Sequence, residues 1–235
     1  MTQPDANFLA NPLFLIALTF MVYLGSQWLS RRLGLKLFNP ILISIAVLIA
    51  LLSGCGVDYE DYHQGGAYIE FWLKPAVVAL GVPLYRQLST IRKQVIPLLI
   101  AELAGCVAGL VSVIVIAEML GATPEVALSL APKAVTTPIA IEISRSLGGI
   151  PALTAAVVVC TGIFGSIAGF NIVRLSRIKS PMATGLSIGT ASHAVGTAAA
   201  MERSERYGAF SSLGLTLNGI LTALLAPYIL SLLGY

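Results

Sequence analysis

Leu130-Ala131-Pro132-Lys133-Ala134-Val135-Thr136-Thr137-Pro138 sets a lysine and two threonines between two prolines. Proline lacks a backbone N–H, and inside a helix its ring clashes with the preceding turn, so this stretch interrupts a helix. The rest of the chain decides what the interruption means. Of 235 residues, 57% are apolar and 11% are charged, and the mean hydropathy is +0.87. Soluble domains carry about 25% charged residues. So few charges cannot cover a water-exposed surface, which excludes an ordinary soluble enzyme, a disordered tail and a secreted disulfide scaffold. The composition predicts an all-α polytopic membrane protein. Lys133 is then an ionisable group at membrane depth, which is costly and as a rule faces a cavity or a partner. Lys133 with Thr136 and Thr137 offers a cation and two hydroxyl donors, a set that suits a small carboxylate. A lysine snorkelling to the interface is the simpler alternative.

A second unusual segment lies downstream. Ser180–Met201 has no charge, yet Ser, Thr, Gly and His make up ten of its 22 residues. Its centre reads Gly189-Thr190-Ala191-Ser192-His193-Ala194-Val195-Gly196-Thr197. Glycines permit close helix approach and unwinding, and unwound amides bind anions. Thr190, Ser192, His193 and Thr197 are candidates to complete a substrate site with the lysine segment. His193 can take a proton near neutral pH, although a lone histidine among small residues is often a structural hydrogen bonder. Irregular backbone survives at membrane depth only where it is buried in protein or lines a wet cavity. Both segments are therefore expected to be broken or re-entrant, with Pro83, Pro132, Pro138, Gly189 and Gly196 as the helix-breaking positions.

Charge-poor windows locate the remaining spans, since a bilayer core of about 30 Å needs roughly 20 apolar residues. They are Ala6–Ser30, Leu37–Val57, a shorter Tyr68–Tyr85, Gln94–Ala117 with the single acid Glu102, Ser146–Val173 and Tyr207–Tyr235. Counting the two broken segments gives about six to eight membrane segments. The clusters Arg31, Arg32, Lys36 and Arg86, Arg92, Lys93 follow the first and third spans, which places them in the cytoplasm. Re-entrant broken segments put 11 cations inside and Arg145 outside; full crossings put 9 inside and 3 outside. The positive-inside rule favours the first arrangement, and both place the termini outside. Lys74-Pro75-Ala76-Val77 echoes Pro132-Lys133-Ala134-Val135, which suggests an inverted repeat with halves 1–121 and 122–235 inside one integral membrane domain. Transporters often juxtapose interrupted helices in this way.

Other polar groups have plainer readings. Glu142 and Arg145 pair on one helix face, and Asn218 is interhelical glue. Glu102 is a proton site or pairs with a cation. The acids Asp58, Glu60 and Asp61 with His63 read as a solvated loop rather than a metal site. Gly105/Gly109 and Gly165/Gly169 read as helix packing. Cys55, Cys106 and Cys160 lack metal spacing and read as packing residues. The first apolar stretch follows no basic region, unlike a cleaved signal. No nucleotide fingerprint, no HExxH and no nucleophile–base set is present, so neither an enzyme, a metal nor a cofactor is expected. A net charge of +3 without a basic block gives no sign of nucleic-acid binding.

The chain resembles the CidB/LrgB family of membrane proteins. The resemblance runs through Asn39-Pro40, Val57-Asp58-Tyr59-Glu60-Asp61-Tyr62, Pro75–Tyr85, Ala131–Ala140, Gly148-Gly149-Ile150-Pro151, Gly189–Ala198 and Gly208-Ala209-Phe210-Ser211. It covers roughly residues 37–227. Ala134 and Val195 stand where Ser and Ile or Leu are expected, both mild departures. The resemblance implies a bacterial inner-membrane protein with one of two roles. Some members are called holin- or antiholin-like modulators of murein hydrolase activity and autolysis, beside a small CidA/LrgA-type partner that would here be a separate chain. A plastid relative exchanges glycolate and glycerate, and some bacterial members are linked to pyruvate uptake. It also implies a likeness to inverted-repeat transporters with crossed, broken helices.

The expected function is a carrier for small monocarboxylates of the pyruvate, glycolate or lactate type, with an indirect effect on autolysis. Lys133, Thr136 and Thr137 would hold the carboxylate, and His193 or Glu102 would couple protons. The alternative is a holin/antiholin-like pore or regulator. Small-residue faces suggest a homo-oligomer.

Overall fold

The computed structural model describes residues 11–33, 40–72, 75, 78, 79 and 81–235. The described residues are helical, with no strand among them. Two compact units divide the chain, Met1–Ala79 and Leu80–Tyr235. The repeat halves expected from the lysine motifs divide it elsewhere, and Lys74, Ala76 and Val77 lie outside the described residues.

The first unit contains α1 (Pro12–Leu33), α2 (Pro40–Cys55) and α3 (Tyr59–Phe71). Helix α1 is apolar and long enough to cross a bilayer. Helix α2 is apolar over 16 residues, about 24 Å at 1.5 Å per residue, short of a full core. Helix α1 packs on both others. A Cβ at Gly65 would come within 2.9 Å of Pro12 O, so only glycine lets α3 lie this close to α1. Thr19 Oγ1 and Tyr62 OH meet at 3.1 Å across the same contact. The acids expected in a loop instead open a helix. Asp58 is the N-cap of α3, and Glu60 and Asp61 lie in its first turn, where carboxylates complement the helix dipole. Nor is the third span a single helix, because α3 ends at Phe71 with Trp72 as its C-cap.

The second unit contains α4 (Gly81–Arg86), α5 (Leu88–Lys93), α6 (Val95–Met119), α7 (Pro124–Leu130), α8 (Thr137–Leu147), α9 (Pro151–Leu175), α10 (Pro181–Arg203) and α11 (Glu205–Leu232). Three of these, α6, α9 and α11, are apolar and long enough to span. Pro124, Pro138, Pro151 and Pro181 each stand in the first turn of a helix, where a missing N–H costs nothing. The charge-free run Ser146–Val173 is consequently not one span. Gly148 takes a left-handed φ of 83° and ends α8, and α9 restarts at Pro151.

Helix α10 sits between α9 and α11, its two most extensive partners, and also touches α6. Glycines set these distances. A Cβ on Gly189 would fall 2.0 Å from Ser211 O on α11, and one on Gly165 would fall 1.8 Å from Ser192 Oγ on α10. The apolar core of this unit joins Cys106, Leu110 and Ile114 of α6 to Ala127, Ile143 and Leu230.

Candidate functional site: a lysine-lined intramembrane cavity

Between α7 and α8 the chain leaves the helix for six residues. Lys133 N bonds Leu130 O at 3.2 Å and Val135 N bonds Pro132 O at 3.3 Å, both turn-type contacts. Pro132 lies inside this break and Pro138 in the first turn that follows it, as their chemistry requires. Pro83, by contrast, is the third residue of the short helix α4.

The break faces a cavity of about 310 Å³ bounded by α6, α10 and α11. Lys133 reaches into it, and its Nζ donates to Gly109 O at 3.2 Å. Nothing lies within 4 Å of the place a Gly109 Cβ would occupy, so this glycine opens the cavity instead of packing a helix. Its partner Gly105 does pack, with a Cβ position 3.2 Å from Thr190 Cγ2. Among the described residues no carboxylate pairs with Lys133.

Thr190 and Ser187 line the opposite wall from α10. The Thr190 hydroxyl donates toward both oxygens of Glu102, at 2.9 and 2.8 Å, and toward Leu186 O at 2.8 Å. It has one hydrogen for these acceptors. Glu102 itself is fully buried and has no cationic partner among the described residues. The Ser187 hydroxyl makes no hydrogen bond within the described residues and is exposed toward the cavity it lines.

Asn218 on α11 ties the walls together. Its Nδ2 donates to Ala134 O in the break at 3.1 Å and to Thr190 O at 3.0 Å, while Thr222 Oγ1 donates to its Oδ1 at 3.4 Å. Both amide hydrogens are spent on backbone, so Asn218 fixes the cavity's shape.

The second broken segment is built differently. Helix α10 is interrupted at His193 alone, whose φ of 42° and ψ of −140° are non-helical. The expected break positions Gly189 and Gly196 flank the kink and are themselves helical. Gly189 serves a contact with Ser211 O of α11, and Gly196 makes room for Ser192 Cβ one turn earlier on the same kinked helix. His193 is 3% exposed, and its Nε2 meets Val158 O at 2.7 Å. The carbonyl can only accept, so Nε2 carries the hydrogen. Gly162 makes room for this ring. Thr197 Oγ1 donates to His193 O at 2.8 Å and meets Ser211 Oγ at 2.9 Å.

Of the seven expected binding residues, Lys133 and Thr190 line the cavity together. Thr136 caps α8 and Thr137 begins it, while Ser192, His193 and Thr197 are buried in packing between helices, and none of these five lines the cavity. Ser187, Asn218 and Thr222 line it although sequence reasoning did not place them there. Their signal was spacing: Ser187/Thr190 and Asn218/Thr222 are three and four residues apart, each pair on one helix face.

A family profile described as "LrgB-like family" matches residues 19–232. This chain belongs to the LrgB-like family. An uncharacterized protein of Haemophilus influenzae is 39% identical over 219 residues, 92% of this chain and 94% of that protein. The holin-like protein CidB of Staphylococcus epidermidis is 37% identical over 219 residues, covering 93% and 95%. The antiholin-like protein LrgB of Bacillus mycoides is 33% identical over 225 residues, covering 95% and 98%. No solved structure matches this LrgB-like chain. The family and the four apolar spanning helices make it an integral membrane protein.

Proposed function

We propose that this LrgB-like protein is a bacterial cytoplasmic-membrane carrier for small monocarboxylates, and that any holin- or antiholin-like effect follows from that transport. One observation carries the reading: a lysine without an acidic partner among the described residues lines a partly open, largely apolar cavity between interrupted and spanning helices. Its volume, about 310 Å³, sits at the small end of the roughly 300–1,000 Å³ of ligand sites. Lys133 would hold the carboxylate by a charge-assisted hydrogen bond. Ser187 would take a hydroxyl or oxo group of the same molecule.

Glu102 is better placed than His193 to carry a coupled proton. Protonated Glu102 can donate to Thr190 Oγ1, leaving the threonine hydrogen for Leu186 O, so that every acceptor in the chain is served. An ionised carboxylate there would be buried with a single hydroxyl donor, a costly state. Glu102→Gln keeps a donor to Thr190 but cannot exchange a proton. It should preserve the stabilisation by bound carboxylate and abolish uptake driven by a proton gradient. Unchanged gradient-driven uptake would remove Glu102 from the coupling role.

The names of the relatives favour the second reading, a holin- or antiholin-like regulator. Proteoliposomes separate the two. A carrier takes up pyruvate, lactate or glycolate with saturation, does not leak unrelated large solutes, and loses uptake in a folded Lys133→Ala variant. Leak of unrelated solutes, or full uptake by that variant, would favour the regulator and sink the carrier.

A further inference from the structure

A second concavity lies where α9 ends and α10 begins. Arg174, Arg177, Lys179 and Arg203 surround a space of about 570 Å³. None of the four has a carboxylate partner among the described residues. Arg174 donates a hydrogen bond to Asn171 Oδ1 at 3.5 Å. Arg203 lies over the Phe170 ring at 3.8 Å, and that ring meets Tyr207 edge-on at 5.7 Å. The turn itself is shaped for this grouping. Arg177 takes a left-handed φ of 58°, and the bonds Arg177 N to Arg174 O and Ile178 N to Val173 O fold the chain back over the end of α9. Thr184, in the first turns of α10, completes the rim.

The positive-inside rule explains why cations occur on this side. It does not explain why four converge on one hollow with an aromatic wall. We propose that this hollow binds the phosphate headgroup of an anionic phospholipid of the inner leaflet. Two features favour a lipid over a free phosphorylated solute. The site lies at the end of a membrane-spanning helix, where headgroups are. One wall is apolar, formed by Phe170, Val173 and Ile178, and an acyl chain requires such a wall where a soluble phosphate does not. Arginine forks match phosphate oxygens, and the lysine adds a point charge. The site stands apart from the carboxylate reading, since it shares no lining residue with the Lys133 cavity.

The test uses the purified full chain in neutral detergent and follows its thermal midpoint with added lipid. Phosphatidylglycerol should raise the midpoint, and phosphatidylcholine and glycerol 1-phosphate at equal concentration should not. Arg177→Gln with Lys179→Gln changes only exposed side chains and should weaken the phosphatidylglycerol effect roughly thirtyfold in apparent affinity. Lys133→Ala should leave it intact. An equal shift with phosphatidylcholine would overturn the proposal as a general detergent-to-lipid effect. An equal shift with glycerol 1-phosphate would overturn the lipid assignment in favour of a soluble phosphate. A full shift in the double variant would overturn the site.

Discussion

The break at Lys133 and the kink at His193 interrupt neighbouring helical segments by opposite means. At Lys133 the chain is out of the helix for six residues, two prolines enforce it, and the side chain opens into a cavity. At His193 one residue leaves the helix, no proline is involved, and the buried ring is held against Val158 O. A polar residue at a helix interruption is therefore not a site by that fact alone. What separates the two is whether its hydrogen-bonding capacity is spent. His193 has spent the nitrogen that faces α9. Lys133 has three N–H groups and one partner among the described residues.

Substitutions should divide along this line. The largest effect on carboxylate binding is expected for Lys133→Ala. Losing a charge-assisted contact of about 2–3 kcal/mol should cut carboxylate affinity roughly 30- to 150-fold, with the unfolding midpoint without ligand little changed. Thermal shifts across a panel of small carboxylates measure both. His193→Ala should do the reverse. Losing the ring and its bond should cost about 2–4 kcal/mol of stability, while the ligand-induced shift survives. His193→Gly should cost less than His193→Ala, because glycine accepts the positive φ without strain. If a stable His193 variant loses the ligand shift, the contrast between the two interruptions fails. The smallest effect is expected for Asn218→Ala, which removes donors from Ala134 O and Thr190 O. About 1 kcal/mol of stability should go, with carboxylate binding weakened but present. Complete loss of binding would make Asn218 a ligand contact instead of a clamp.

The sequence made the helical membrane class and the Pro132–Pro138 break legible because each follows from a local rule, bilayer thickness for the spans and the missing N–H for the prolines. A break was expected in this segment, but its place at His193 was not, because what holds the ring there, Val158 O on α9, is tertiary. Gly189 looks like a break in the one-dimensional pattern, but it is spent on the approach of Ser211 from α11, which no local rule contains. Gly148 was hidden for a simpler reason: no charge between Arg145 and Arg174 marks the turn. Ser187 was missed because Ser192 and Thr197, polar and close by in sequence, lie on buried faces of the same kinked helix.

The carbonyl of Gly109 has a further consequence. A carboxylate beside Lys133 would cancel its charge permanently, whereas a backbone oxygen leaves it whole. An empty site would then carry a full positive charge inside the membrane, and a site holding a monocarboxylate would carry none. A charge moved across the whole bilayer experiences about 2.3 kcal/mol per 100 mV. The membrane potential would thus act on the return of the empty protein only while Glu102 keeps its proton; a proton released from Glu102 with the substrate would offset the lysine's charge, so the voltage dependence of the cycle would report whether Glu102 exchanges a proton.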